Sequence, residues 1–248
     1  AEQEVKMILD IYKKIVEEEL AIPVITGKKS EKEKFVGAVY TTTMESIMPD
    51  GKALQMGTSH FLGQNFSKHF NVKFLDKNNV ENFAWQTSWG VSWRLIGALI
   101  MVHGDDKGLV LPPRVAPIQV VIVPIYYDVD KENVLKKSRE IEQSLKKNKI
   151  PVHVDARDEW TPGYKFHDWE MKGVPLRIEI GPKDIAKGKM VLVRRDTLKK
   201  SDLEFSNTES GVESMLKEIQ QSLFEKAKVF LKERTKQVSD FDKFKSDI

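Results

Sequence analysis

Two adjacent prolines, Pro112 and Pro113, constrain this chain of 248 residues more than any other feature, because such a pair interrupts both an α-helix and a β-ladder. The pattern differs on either side. After the prolines, Ile118 to Tyr126 is a nearly continuous β-branched run, as in a strand buried on both faces. An amphipathic helix over Glu132 to Asn148, a strand over Val152 to Ala156, a short helix over Thr161 to Lys172 and strands at Leu176–Ile180 and Met190–Arg194 follow. That alternation predicts a small α/β domain around a mixed or parallel sheet. A long amphipathic helix then covers about Ser210 to Lys236.

Ahead of the prolines, residues 2 to 20 carry apolar positions on the helical period, and Pro23 ends them. Thr26 to Lys34 reads as a charged connector. Strands are predicted at Val36–Ile47 and Lys52–Thr58, joined by the turn Pro49-Asp50-Gly51, with further strands at Val72–Leu75 and Asn82–Thr87 and a short helix over Phe61–Phe70. Hairpin-like links with few long crossovers predict an antiparallel sheet carrying helices. The expected division is 1–113, 114–204 and a final region from 205 to 248.

Composition narrows the function classes. With 40% hydrophobic and 31% charged residues the chain is that of a globular protein. A net charge of +3 and a pI near 8.8 permit a polyanionic partner without demanding one. Cysteine is absent, which excludes disulfides, thiolate metal sites and a cysteine nucleophile within these residues. The five histidines lie far apart, without paired metal-ligand spacing, so no metal site is predicted. No apolar run approaches the roughly 20 residues of a membrane span.

Two segments carry candidate chemistry. In QTSWGVSWRLIGALIMVHGDDKGLVLPP, Gln86 to Pro113, Arg94 stands at the mouth of the apolar helix Leu95–Val102. The helix macrodipole there favours anions, so an arginine in that place suits a nearby phosphate, or else a surface ion pair. Upstream, Thr43 with Glu45 and Thr58 with His60 share strand faces beside Gln55. Such a face either lines a pocket for a small polar ligand or is simply solvated. His103 and Asp105 read as helix-end and loop-capping groups. In DARDEWTPGYKFHDWEMKGVPLRIEIGPKD, Asp155 to Asp184, Trp160, Tyr164, Phe166 and Trp169 interleave with Lys165, Glu170, Lys172 and Arg177. Aromatics mixed with cations suit unpaired bases, although at least two of these rings are expected in the core.

The motifs TTTMES, GTSHFLGQNF, TSWGVSWRLIGALIMVHGDDKGLVLPPRVAPIQVVIVPI and PGYKFHDWEMKGVPLRIEIGPKD, in this order, resemble prolyl-tRNA synthetase of the archaeal/eukaryotic cytosolic type. The resemblance implies an α+β class II synthetase core up to residue 113, then an α/β anticodon-binding domain. It implies joining of proline to ATP and transfer of the prolyl group from the adenylate to tRNA(Pro), in a cytoplasmic homodimer with no membrane attachment. By matching position, Gln55, Thr58, Ser92 and Arg94 would contact ATP, with Arg94 the motif 3 arginine on the phosphates and the catalytic residue. His60, Ser92, Trp89 and Gly90 would line the proline pocket, and Glu170, Arg177 and Lys199 would read the anticodon. Magnesium would accompany the triphosphate.

Three departures qualify this. Trp93 stands where a threonine usually precedes the motif 3 arginine. Motifs 1 and 2 have no counterpart, and neither does the zinc-binding C-terminal region. The ends, at Ala1 and Ile248, therefore read as cuts within a longer enzyme, and these residues alone are expected to be catalytically inactive. A non-catalytic tRNA-binding fragment or paralogue is the alternative. A generic nucleotide-binding α/β protein ranks last, since neither a P-loop nor a GxGxxG fingerprint is present.

Overall fold

The computed structural model describes residues 1–247, and the backbone resolves into two compact units. The first comprises Ala1–Glu18, Ile22–Ala98 and the chain from Glu225 onward; the second comprises Glu19–Ala21 and Leu99–Phe224.

The first unit opens with helix α1 (Glu2–Lys14), which buries Val5 and Leu9. Glu2 and Glu4 in its first turn and Lys13 and Lys14 in its last complement the helix dipole. A π-helical turn, Ile15–Glu19, follows and buries Val16. Strands β1 (Ile25–Lys28), β2 (Tyr40–Ile47) and β3 (Ala53–Gly63) precede helix α2 (Asn65–His69). The ribbon β4 (Lys73–Leu75) and β5 (Glu81–Phe83) comes next, then β6 (Gln86–Gly90). β1, β2, β3 and β6 form an antiparallel sheet in that spatial order. The predicted turn at Pro49-Asp50-Gly51 is present: Gly51 takes φ +82°, and the Met48 N–H donates to the Lys52 carbonyl.

Four expectations for this half change. Part of the expected connector is edge strand β1, exposed at every position and so without alternation to betray it. β2 begins at Tyr40, not Val36. β3 runs on to Gly63, so the helix expected from Phe61 starts only at Asn65. The single strand expected over Asn82–Thr87 is two, β5 and β6.

Helix α3 (Arg94–His103) carries the chain across the division between units. The second unit contains β7 (Val120–Pro124), α4 (Lys131–Lys147), β8 (Val152–Val154), α5 (Pro162–Met171) and β9 (Leu176–Ile180). After these come α6 (Pro182–Ala186), β10 (Lys189–Arg194), β11 (Lys200–Glu204) and α7 (Thr208–Glu233), whose residues to Phe224 count here. The last helix, α8 (Phe241–Asp247), belongs to the first unit.

The sheet order is β11-β10-β9-β7-β8, with β7 parallel to both neighbours and the β9–β10–β11 edge antiparallel. Every residue of β7 is buried. Val120 and Ile122 face a core shared with Val134, Ile141 and Leu145 of α4 and Val212, Leu216 and Ile219 of α7. Val121 and Val123 meet Trp169 of α5 and Val174 on the other face. Burial of each such aliphatic side chain stabilises by about 1.5–3 kcal/mol. The residues just before the double proline are bonded into this unit, since the Leu109 and Leu111 N–H groups donate to the Met171 and Gly173 carbonyls. β11, rich in charge, was not expected.

Candidate functional site

Cross-strand register builds the first cluster. It sets Thr41 opposite His60, Thr43 opposite Thr58 and Glu45 opposite Gln55, with a bulge between Met44 and Glu45. Side chains paired in this way share a sheet face. His60 Nδ1 lies 2.9 Å from Thr41 Oγ1, and Nε2 lies 3.1 Å from Thr58 Oγ1. Thr41 Oγ1 also accepts the Phe35 N–H at 2.9 Å. Burial lowers the His60 pKa from its usual range, and the positive charge of Lys29 adds to the effect, so the ring is neutral at pH 7. Phe35 covers it at 5.0 Å between ring centroids. Thr43 Oγ1 donates to Glu45 Oε1 at 3.2 Å, and Lys29 Nζ stands 4.0 Å from the same oxygen.

β6 adds the last edge. Ser88 pairs with His60 and Gly90 with Thr58, whereas Trp89 pairs with Ser59 and so points to the opposite face. The α3 start is fixed by the Ser92 hydroxyl, which accepts the Arg94 N–H at 3.3 Å. Arg94 Nη1 donates to the Gln55 main-chain carbonyl at 3.1 Å, and among the described residues no carboxylate pairs with its guanidinium. Arg94 is thus tied beside Gln55 by one of its five donors, with the others left for an anion. The ring of Trp93 is 86% exposed and neither fills nor packs beside this face.

The second cluster lies on β9 and α5. Arg177 is buried, and its donors are engaged internally: Nη1 with Glu170 Oε1 at 2.9 Å, Nε and Nη2 with Glu179 Oε1 at 3.1 and 3.0 Å. Its guanidinium lies 4.2 Å from the centre of the Phe166 ring. Burial works to raise the Glu170 pKa, but the hydrogen bond and charge of Arg177 outweigh it and hold the carboxylate ionised. Glu170 Oε2 is buried without a hydrogen bond; Lys107 Nζ stands 3.8 Å away and His167 Nδ1 3.5 Å away.

Lys199 is exposed and stands outside this network, where Lys200 instead bonds Glu179 at 2.9 Å. Two neighbouring lysines give a sequence reader no basis for choosing between them. Trp169 is core, its Nε1 donating to Asp155 at 2.8 Å, and Phe166 is partly buried, whereas Trp160 and Tyr164 stack at 4.0 Å and stay half exposed. His103 and Asp105 are structural as expected. His103 Nε2 bonds the Leu20 carbonyl at 2.8 Å, and Asp105 grips the buried Arg195 through both oxygens at 2.6 and 2.7 Å. Arg195 and Lys107 escaped the sequence reading, because their partners are 90 and 63 positions away.

Known proteins supply the context. The family model described as an anticodon binding domain matches residues 119–215. A proline--tRNA ligase of Cenarchaeum symbiosum is 62% identical over 229 residues, 92% of this chain and 48% of that protein. One from Natranaerobius thermophilus is 53% identical over 98% of this chain and 50% of its own length. Proline--tRNA ligase 2 of Bacillus cereus is 54% identical over 96% of this chain and 49% of its own. The chain spans about half the length of the curated relatives it matches.

Proposed function

From a chain that aligns along its length within the proline--tRNA ligase family, we propose that these residues supply the later catalytic core and the anticodon-reading domain of an enzyme charging tRNA(Pro) with proline through a prolyl-adenylate. We take the enzyme to be of the archaeal/eukaryotic type, cytoplasmic and dimeric. The supporting observation is the Arg94 guanidinium, tied to Gln55 and unpaired with any carboxylate among the described residues, at the edge of the Thr58–His60 face.

In this reading Arg94 holds ATP phosphate oxygens, aided by Gln55, Thr58 and Ser92. Charge grows on those oxygens as the proline carboxylate attacks the α-phosphate and pyrophosphate departs. A fixed cation there acts by preorganised stabilisation, without a covalent enzyme intermediate. His60, neutral between two hydroxyls, lines the amino-acid pocket as a shaped polar wall, and Gly90 leaves backbone room beside Thr58. Trp89, on the opposite face, shapes that wall only from behind. Magnesium enters with the triphosphate. Among the described residues no group of three His, Cys, Asp or Glu side chains converges to hold a metal, so no step is assigned to a protein-bound ion. In the second unit Glu170, set by Arg177, accepts from a guanine edge of the anticodon, and Lys199 is a candidate phosphate contact.

The test is proline-dependent pyrophosphate exchange by an enzyme carrying this span. Arg94→Ala is expected to cost about 2–4 kcal/mol in kcat/KM for ATP. Unchanged exchange would remove Arg94 from the role.

A further inference from the structure

The loop Asp105–Gly108 is held in place with unusual thoroughness for an exposed segment. Arg195, 3% exposed, bonds both carboxylate oxygens of Asp105, and its Nε donates to the Glu170 carbonyl at 2.8 Å. These bonds keep the Asp105 pKa near 2, so the clamp is charged at any working pH. The Asp105 and Gly108 N–H groups each donate to the other's carbonyl, and Asp105 Oδ1 accepts the Lys107 N–H at 2.9 Å. Gly108, at φ +127°, lies so close to Met171 that a Cβ would come within 2.6 Å of its main chain. One side chain projects from this frame toward Glu170: Lys107, whose Nζ stands 3.8 Å from Oε2.

That oxygen is the informative atom. It belongs to a carboxylate about nine-tenths buried, and it lacks a hydrogen bond, which is costly for an ionised group. Two exposed side chains, Lys107 and His167, stand near it at 3.8 and 3.5 Å without hydrogen-bonding to it. An acceptor with an ammonium donor beside it complements a base edge presenting an N–H next to a carbonyl, as guanine does with N1–H and O6. Arg177 already engages three of its five N–H groups with Glu170 and Glu179, whereas the Lys107 ammonium makes no hydrogen bond to either.

We propose that Lys107 is a specificity-determining residue of the anticodon site, donating to the carbonyl oxygen of the guanine whose N–H edge Glu170 Oε2 accepts, with Asp105 and Arg195 as positioning residues. This rests on the anticodon reading proposed for Glu170.

The experiment measures binding of the full chain to anticodon stem-loop RNAs bearing guanine or adenine at each of the two guanine positions of the proline anticodon. Lys107→Met is expected to weaken the guanine loop about tenfold, the scale of one charge-assisted hydrogen bond, and the adenine loop less than about twofold. Lys107→Arg is expected to keep most of the preference. Equal weakening of all loops, with a salt slope reduced by about one, makes Lys107 a phosphate contact and overturns the proposal. So does a loss of guanine preference in Glu170→Gln with none in Lys107→Met. If the unsubstituted chain shows no guanine preference, or Glu170→Gln leaves it intact, the underlying reading falls instead and takes the proposal with it.

Discussion

At the scale of residues, the same side-chain type carries different work according to what already occupies it. Arg94 has one main-chain partner and no carboxylate among the described residues, whereas Arg177 is buried between two carboxylates that take three of its five N–H groups. Arg177→Ala would therefore expose Glu170 and Glu179 to each other in a buried place, and a loss of about 3–5 kcal/mol in urea unfolding is expected. An effect confined to RNA binding, with stability intact, would contradict this. Glu179 lies two residues from Arg177 on the same strand, a pairing open to sequence reading, whereas Glu170 reaches it from α5, which only the fold brings in. His60 gives a pH prediction. Its folded pKa lies below the usual value near 6.5, so the folded chain binds fewer protons and stability rises with pH. That stability is full above pH 6.5 and declines as pH falls through the folded value. His60→Gln should flatten the urea midpoint between pH 7.5 and 5; an unaltered slope would assign the dependence to another group.

Among elements, legibility followed periodicity and failed at edges. β7 was plain because a strand buried on both faces must be apolar throughout, and α4 because its buried residues recur on one face. β1 and β11 are outer strands with exposed or charged side chains, so no alternation marks them. The end of β3 reads as helix in the sequence because Phe61 and Leu62 are both buried, which breaks the two-residue period where the strand meets its bulge. Of the first cluster, Thr43, Glu45, Gln55, Thr58 and His60 could be gathered from the sequence, but Thr41 could not without the register. Tight approaches between elements are also invisible in sequence. Gly173, at φ +74°, has Leu109 atoms within 2.6–2.8 Å of where a Cβ would sit. Gly173→Ala is expected to destabilise the second unit by at least about 1–3 kcal/mol in thermal or urea unfolding. A stability within experimental error of the unsubstituted chain would show that this crossing yields easily.

For the whole molecule, the two compact units separate the two proposed tasks, with phosphate and amino-acid handling in the first and anticodon reading in the second. Hydrogen exchange on the full chain with a proline anticodon stem-loop should slow amides around α5 and β9, leaving those of β2 and β3 unchanged. Comparable slowing on β2 and β3 would contradict that separation of labour. The double proline predicts a boundary at residue 113, and the pattern after it another at 205, whereas the compact units divide at Ala98–Leu99 and at Phe224–Glu225. The backbone just before the double proline is already bonded to Met171 and Gly173, an arrangement set by long-range pairing that no local pattern encodes.

Glu19–Ala21 has a practical corollary. Ala21 fills the second unit's core, the Leu20 carbonyl meets His103, and the Glu19 carbonyl accepts from Gln220 at 3.3 Å, although the rest of that unit starts at Leu99. Anyone wishing to excise the second unit would find that no single scission frees it whole. A truncated piece starting at Leu99 would expose a notch three residues wide, and a tripeptide graft or a circularly permuted gene would be the natural way to refill it.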